Sequence, residues 1–276
     1  MTLRRRILPA QPSAPALELC EVGVPGARGK TPILCLHGAF GGAWMWAEHF
    51  LPALGRLGRH AAALSLRGHG GSQGREALSR AMLSDYSADV IRAIDTFDEP
   101  PIVLAHSLGA LLAQRLLGQR NMRALVLLAP LPPDGMMLIT PRLLMTAPHV
   151  WLEIWSALSG DHAVALTHVR DSVFSNRLSP GEVDRYLSLM VTEGRSVLLE
   201  CHVPLPVVPA FVLGVPALVV EAGNDRLVPQ DAALRTSLYH GADHQVVEGA
   251  GHLIHLEPGA EEVARDVVAW LEEYGL

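Results

Sequence analysis

Residues 102–117 read Ile102-Val103-Leu104-Ala105-His106-Ser107-Leu108-Gly109-Ala110-Leu111-Leu112-Ala113-Gln114-Arg115-Leu116-Leu117. The first four are apolar without alternation, as a strand covered on both faces must be, and the last eight form a helical run. Between them His106-Ser107-Leu108-Gly109 leaves room only for a tight strand-to-helix turn. Such a turn strains the backbone of its central residue and exposes that side chain, and small residues on either side let strand and helix pass closely. Gly109 meets that need fully; Ala105 meets it with one extra methyl group. A serine at the centre of this context predicts a nucleophile elbow, with Ser107 as the nucleophile.

Similar apolar runs recur on both sides. Ile33-Leu34-Cys35-Leu36, Ala61-Ala62-Ala63-Leu64-Ser65-Leu66, Leu125-Val126-Leu127-Leu128 and Ala217-Leu218-Val219-Val220 join 102–105 as five expected central strands. Amphipathic, helix-length stretches separate them, so the fold class is α/β, a mostly parallel sheet flanked by crossover helices. The polar-interrupted stretches 3–8 and 17–22 are expected as edge strands. Residues 131–213 break the rhythm: they are rich in Met, Leu and Trp and show helical periodicity without strand signals. The chain therefore reads as a core of residues 1–130 and 214–276 with a helical cap inserted at 131–213. Within the insertion, Ser179-Pro180-Gly181-Glu182 makes a capping box that predicts a helix running to about Glu193. Met136, Met137, Met145, Trp151, Trp155 and Met190 are expected mainly to build the cap's own core, with a share of them facing a cleft.

Composition narrows the class. Of 276 residues 49% are hydrophobic and 18% charged, which supplies a core and argues against disorder. A net charge of −6 gives nucleic-acid phosphates no electrostatic reason to bind. Arg4-Arg5-Arg6 has the charge of a secretory n-region, but Pro9, Pro12 and Pro15 interrupt the apolar segment that should follow. No stretch offers about 18 uninterrupted apolar residues, so no membrane span is expected. Cys20, Cys35 and Cys201 are odd in number and widely spaced, which suits neither a disulfide framework nor a metal site. The expectation is a soluble, cytoplasmic protein with reduced thiols.

Three further segments follow in a telling order. His37-Gly38-Ala39-Phe40-Gly41-Gly42 succeeds the first central strand, and Gly223-Asn224-Asp225-Arg226-Leu227-Val228-Pro229 succeeds the last. Gly249-Ala250-Gly251-His252-Leu253-Ile254-His255-Leu256-Glu257-Pro258 precedes the final helical stretch. With the Ser107 turn, these segments resemble the α/β-hydrolase superfamily over nearly the whole chain from Pro32 onward; Ala105 stands where that family usually has glycine. The resemblance implies that the backbone N–H groups of Ala39 and Leu108 hold a developing oxyanion. It implies His252 as the base, chosen from thirteen histidines, and Asp225 as the acid that orients it. Leu66-Arg67-Gly68-His69-Gly70-Gly71-Ser72 resembles a family turn and is read as structural. His255 is the rival to His252, and Asp134, in Pro132-Pro133-Asp134-Gly135, the rival to Asp225. His37 and His106 are read as supporting residues.

The implied chemistry is a two-step acyl transfer without metal or organic cofactor, acting on a small-molecule ester-like partner. A serine at the elbow argues against dehalogenase and epoxide hydrolase chemistry, which places a carboxylate there. The low charge and apolar insertion favour a small or medium carboxylic ester. A thioesterase, a carbon–carbon bond hydrolase and a cofactor-free perhydrolase would keep the same triad. A hydroxynitrile lyase wants a pocket lysine, and the sole lysine, Lys30, precedes the strand before the oxyanion loop. From another class, a small-molecule receptor would use the same fold without turnover. Oligomeric state is not encoded in any feature of the sequence.

Overall fold

The computed structural model describes residues 2–26, 29–146, 148, 170, 172–204 and 206–276. The described strands are β1 (Arg4–Leu8), β2 (Leu17–Val22), β3 (Ile33–Leu36), β4 (Ala61–Leu64), β5 (Ile102–His106), β6 (Ala124–Leu128), β7 (Ala217–Ala222) and β8 (Asp243–Val247). They form one sheet in the order β1-β2-β4-β3-β5-β6-β7-β8. Pairing is parallel from β4 through β8 and antiparallel at β1–β2 and β2–β4.

The absence of alternation in the central runs has the expected physical cause. Leu34, Leu36, Val103, Ala105, Leu125 and Leu127 enter one buried cluster with the helices Leu83–Ile94 and Leu108–Leu116. Their neighbours Ile33, Cys35, Ile102, Leu104, Val126 and Leu128 enter a second, with the helices Phe50–Arg56 and Ala260–Glu273 on the other face. Each strand residue therefore loses its water to one helix layer or the other, the usual state of a parallel sheet.

The sheet's edges include one departure from the sequence reading and one strand it did not name. β2 lies inside the sheet, between β1 and β4, so of the two strands expected at an edge β1 alone lies at one. Its polar residues serve a tie: the buried Glu18 carboxylate accepts from Ser65 Oγ at 2.8 Å and Gly71 N–H at 2.6 Å, and pairs with Arg5 at 2.5 Å. That tie fixes the turn at 66–72, in keeping with its structural reading. The opposite edge is β8, whose Asp243-His244-Gln245 start carries little apolar signal because it pairs with β7 alone. 

Between β6 and β7 the described residues contain the helices Ile139–Thr146, Pro180–Leu189 and Arg195–Glu200 and no strand. The capping box forms as read: Ser179 Oγ accepts from Glu182 N–H at 3.3 Å and the Glu182 carboxylate accepts from Ser179 N–H at 2.9 Å. The helix stops at Leu189, short of Glu193, because Met190 turns to extended backbone and Val191 N–H donates to Phe40 C=O at 3.0 Å. Met190 and Met136 are buried, whereas Met137 and Met145 are exposed; Trp151 and Trp155 lie outside the described residues. Among the described residues no helix is long and apolar enough to cross a membrane.

Candidate active site

Ser107 sits between β5 and the helix Leu108–Leu116 with φ 50° and ψ −116°, a left-handed conformation rare for a residue with a Cβ. The turn is held from outside, since Ser107 N–H donates to Leu128 C=O at 3.1 Å. Gly109 is required sterically: a Cβ there would lie 2.5 Å from the His37 carbonyl oxygen and 2.8 Å from that of Leu36. Ala105, aligned with Leu36 and Leu127, is fully buried, and the core around it accommodates its methyl group.

The loops after β7 and β8 bring His252 and Asp225 to this serine. Ser107 Oγ lies 2.9 Å from His252 Nε2, and His252 Nδ1 lies 2.7 Å from Asp225 Oδ2. A carboxylate can only accept, so Nδ1–H donates to Asp225 and Nε2 is left to accept from the serine hydroxyl. The His252 and Asp225 side chains are 3% and 2% exposed, so both hydrogen bonds are shielded from water. Asp225 is itself fixed, its Oδ1 accepting from Leu227 N–H and Val228 N–H at 2.8 Å each. His106 Nε2–H donates to the His252 carbonyl at 2.9 Å, which ties the end of β5 to the loop that carries His252.

The two rival residues go elsewhere. His255 stacks on Trp46 at 4.7 Å, and neither ring nitrogen has a hydrogen-bond partner among the described residues. Burial pushes its pKa down to about 3, so it is a neutral packing residue. Asp134 pairs with Arg235 at 3.2 Å, in a turn whose Gly135 has φ 64°.

The loop after β3 completes the site. His37 Nδ1–H donates to Gly38 C=O at 2.7 Å and Nε2 accepts from Leu66 N–H at 3.1 Å, which ties the loop to the end of β4. Burial, with His69 nearby, lowers the His37 pKa to about 3 and keeps that acceptor free of a proton. A Cβ on Gly38 would lie 2.7 Å from His106 Nδ1 and 3.0 Å from Ser107 Cβ, so glycine alone lets the loop approach the elbow. The N–H groups of Ala39 and Leu108 donate to no other protein group among the described residues. Leu108 opens a helix, where unpaired N–H groups and the helix dipole favour negative charge.

Ser107, Ala39 and Leu108 border one cavity of about 90 Å³, closed by apolar atoms of Leu131, Met136 and Leu227 among others. Cys201 also lines it; burial pushes its thiol pKa up, so it stays protonated. A larger depression of about 790 Å³ lies between residues 11–15 and the turn near Arg67 and Arg75, bordered by none of Ser107, Asp225 and His252. Of the two, the smaller cavity is the one that Ser107 borders, beside Ala39 and Leu108. Among the described residues no three His, Cys, Asp or Glu side chains are grouped to hold a metal ion.

Two of the buried carboxylates, Glu193 and Glu257, brace these loops without a sign of it in the sequence. Glu257 accepts from Ser175 N–H at 2.8 Å and from the Ser175 hydroxyl, pinning residues 172–175 to the His252 loop. Glu193 reaches the loop after β3. Both have partners at least 82 positions away, and no local pattern announces such contacts.

A mostly parallel sheet with a strained serine turn and these loops defines a class of protein. The chain belongs to the alpha/beta hydrolase family, whose model matches residues 33–266. Hydrolysis is thereby its general class of chemistry. It is similar to phospholipase YtpA of Bacillus subtilis, at 28% identity over 264 residues covering 88% of this chain and 95% of that protein. Its fold is also that of an esterase from Thermogutta terrifontis, at TM-score 0.71, 16% identity and 99% coverage of both chains. Epoxide hydrolase A from Mycobacterium thermoresistibile matches at TM-score 0.69 and 21% identity, with 98% of each chain covered.

Proposed function

We propose that this chain is a serine hydrolase that cleaves small or medium apolar carboxylic esters through an acyl-enzyme on Ser107. The observation that carries the reading is the continuous hydrogen-bonded line from Ser107 Oγ through His252 to Asp225, ending at an apolar cavity. His252 Nε2 takes the serine proton as Oγ attacks the ester carbonyl. The resulting oxyanion is held by the N–H groups of Ala39 and Leu108, donors that each matter by about 10²–10³ in rate in a dry site. His252 then gives its proton to the leaving alkoxide; water enters, loses a proton to His252, attacks the acyl carbon and frees Ser107. Asp225 keeps the imidazole in one tautomer and stabilises the imidazolium.

Residues 131–213 act as the cap in this reading, with Met136 lining the cavity. The name of the phospholipase relative and that of the esterase point toward ester cleavage. Serine at the elbow separates this chain from the carboxylate chemistry expected of epoxide hydrolases. Free Cys20, Cys35 and Cys201 accord with a cytoplasmic location.

The test is turnover of nitrophenyl esters of graded acyl length beside acyl-CoA and diketone substrates. Short and medium esters are expected to be cleaved fastest, and Ser107→Ala to lower kcat by at least about 10³. Undiminished hydrolysis by folded Ser107→Ala, or a folded wild type that binds but cleaves none of the panel, would overturn the reading.

A further inference from the structure

Phe40 follows Ala39 in the loop after β3 and has φ 64°, a conformation that a bulky side chain keeps only when its surroundings hold it there. The holding groups come from the short segment after the helix Pro180–Leu189. Phe40 N–H donates to Glu193 Oε2 at 3.3 Å, and Phe40 C=O accepts from Val191 N–H at 3.0 Å. Both backbone groups of the strained residue are thus bound by residues 191–193.

Glu193 is suited to the task because its surroundings offer it only donors. Its side chain is completely buried. Oε1 accepts from Gly194 N–H at 2.7 Å and from the Tyr86 hydroxyl. Oε2, besides Phe40, lies 3.2 Å from His69 Nε2, too far off axis for a well-formed hydrogen bond, so that contact is mainly one of charge. The other nitrogen of His69 donates to Arg67 C=O at 2.9 Å. A buried carboxylate costs free energy unless paired and hydrogen-bonded, and here it is both. Its negative charge raises the pKa of His69 against the effect of burial.

We propose that Glu193, with Val191, is a positioning residue for the oxyanion loop: it clamps Phe40 in the left-handed conformation and so aims the N–H of Ala39 at the reacting carbonyl. The peptide that carries Phe40 N–H also carries Ala39 C=O, so locking Phe40 limits the rotation that would swing Ala39 N–H away. The proposal rests on the acyl-transfer reading above. It makes the segment joining the helices Pro180–Leu189 and Arg195–Glu200 part of the catalytic geometry.

Glu193→Gln keeps the shape and sets an NH2 group against the N–H of either Phe40 or Gly194. Val191→Pro removes the other half of the clamp without touching the buried charge, after a Met190 whose ψ of 149° already suits a following proline. Each variant is expected to lower kcat on a nitrophenyl ester about tenfold, less than deletion of a whole donor, with KM within about twofold. Binding of an alkyl boronic acid, which forms the tetrahedral anionic adduct on the serine, is expected to weaken in parallel. If Glu193→Gln fails to fold, Val191→Pro decides the matter. Wild-type kcat and boronate affinity in a folded variant, or a change confined to KM or to melting temperature, would overturn the proposal. A wild type without serine-dependent turnover would instead refute the acyl-transfer reading.

Discussion

Two histidine–carboxylate pairs are buried among the described residues, and their second ring nitrogens meet different groups. In one, His252 Nδ1 lies 2.7 Å from Asp225, and its second nitrogen faces the Ser107 hydroxyl at the edge of a cavity. In the other, His69 Nε2 lies 3.2 Å from Glu193, and its second nitrogen is occupied by the Arg67 carbonyl. In the proposed mechanism a proton arriving at His252 has somewhere to go. A proton on His69 has not, and its charge simply compensates Glu193. On the proposed reading, the same two functional groups are thus assigned to chemistry or to architecture by what the second ring nitrogen meets.

The sharpest way to break this comparison is to disable the two carboxylates separately. Asp225→Asn turns the acceptor for Nδ1–H into an amide that favours the wrong imidazole tautomer, and kcat is expected to fall by about 10³–10⁴ with the fold intact. Glu193→Gln is expected to cost about tenfold, through the oxyanion loop. Steady-state kinetics on one ester measures both, and comparable losses would mean that the division between chemistry and architecture is wrong.

A smaller effect appears in stability against pH. Burial lowers the pKa of His37 and His255 to about 3 and that of His106 well below its ordinary value. Each folds neutral while the unfolded chain takes up its proton near pH 6.5, so their stabilising contribution is complete above that pH and is lost as pH falls. By pH 5 each such group withdraws up to about 2 kcal/mol. His69 runs the other way: its raised pKa gives a contribution complete below about pH 6.5 that declines as pH rises through the folded value. Glu193, held low mainly by His69, contributes above about pH 4.5. Between pH 5 and 6.5 the His69–Glu193 pair is therefore whole, and the acid loss belongs to the neutral histidines. The melting temperature is expected to fall from pH 7 to pH 5, and His255→Phe to make that fall shallower by about one proton. An unchanged slope in the variant would show that His255 is not held neutral.

Much of this was legible in the sequence. Five apolar runs without alternation gave the central strands to within two residues at each end, because double-sided burial writes itself directly into composition. The serine turn was legible because close strand–helix passage demands a small residue at Gly109. What stayed hidden depends on distant partners. Local periodicity gives Glu193 as the end of a helix, whereas Phe40, 153 positions earlier, binds both it and Val191. β2 looked like an edge because Glu18 is polar, although that carboxylate is buried against Ser65 and Gly71. β8 was silent because an edge strand paired with β7 alone needs little apolar sequence.

The central claim is that Ser107 is the nucleophile, activated through His252 and Asp225. Mass spectrometry of the intact protein and its peptides after treatment with a fluorophosphonate tests it most directly. The account expects one adduct per chain, on Ser107, absent from Ser107→Ala and formed far more slowly by Asp225→Asn. A folded wild type that takes no adduct, or one that carries it on another residue, would contradict it.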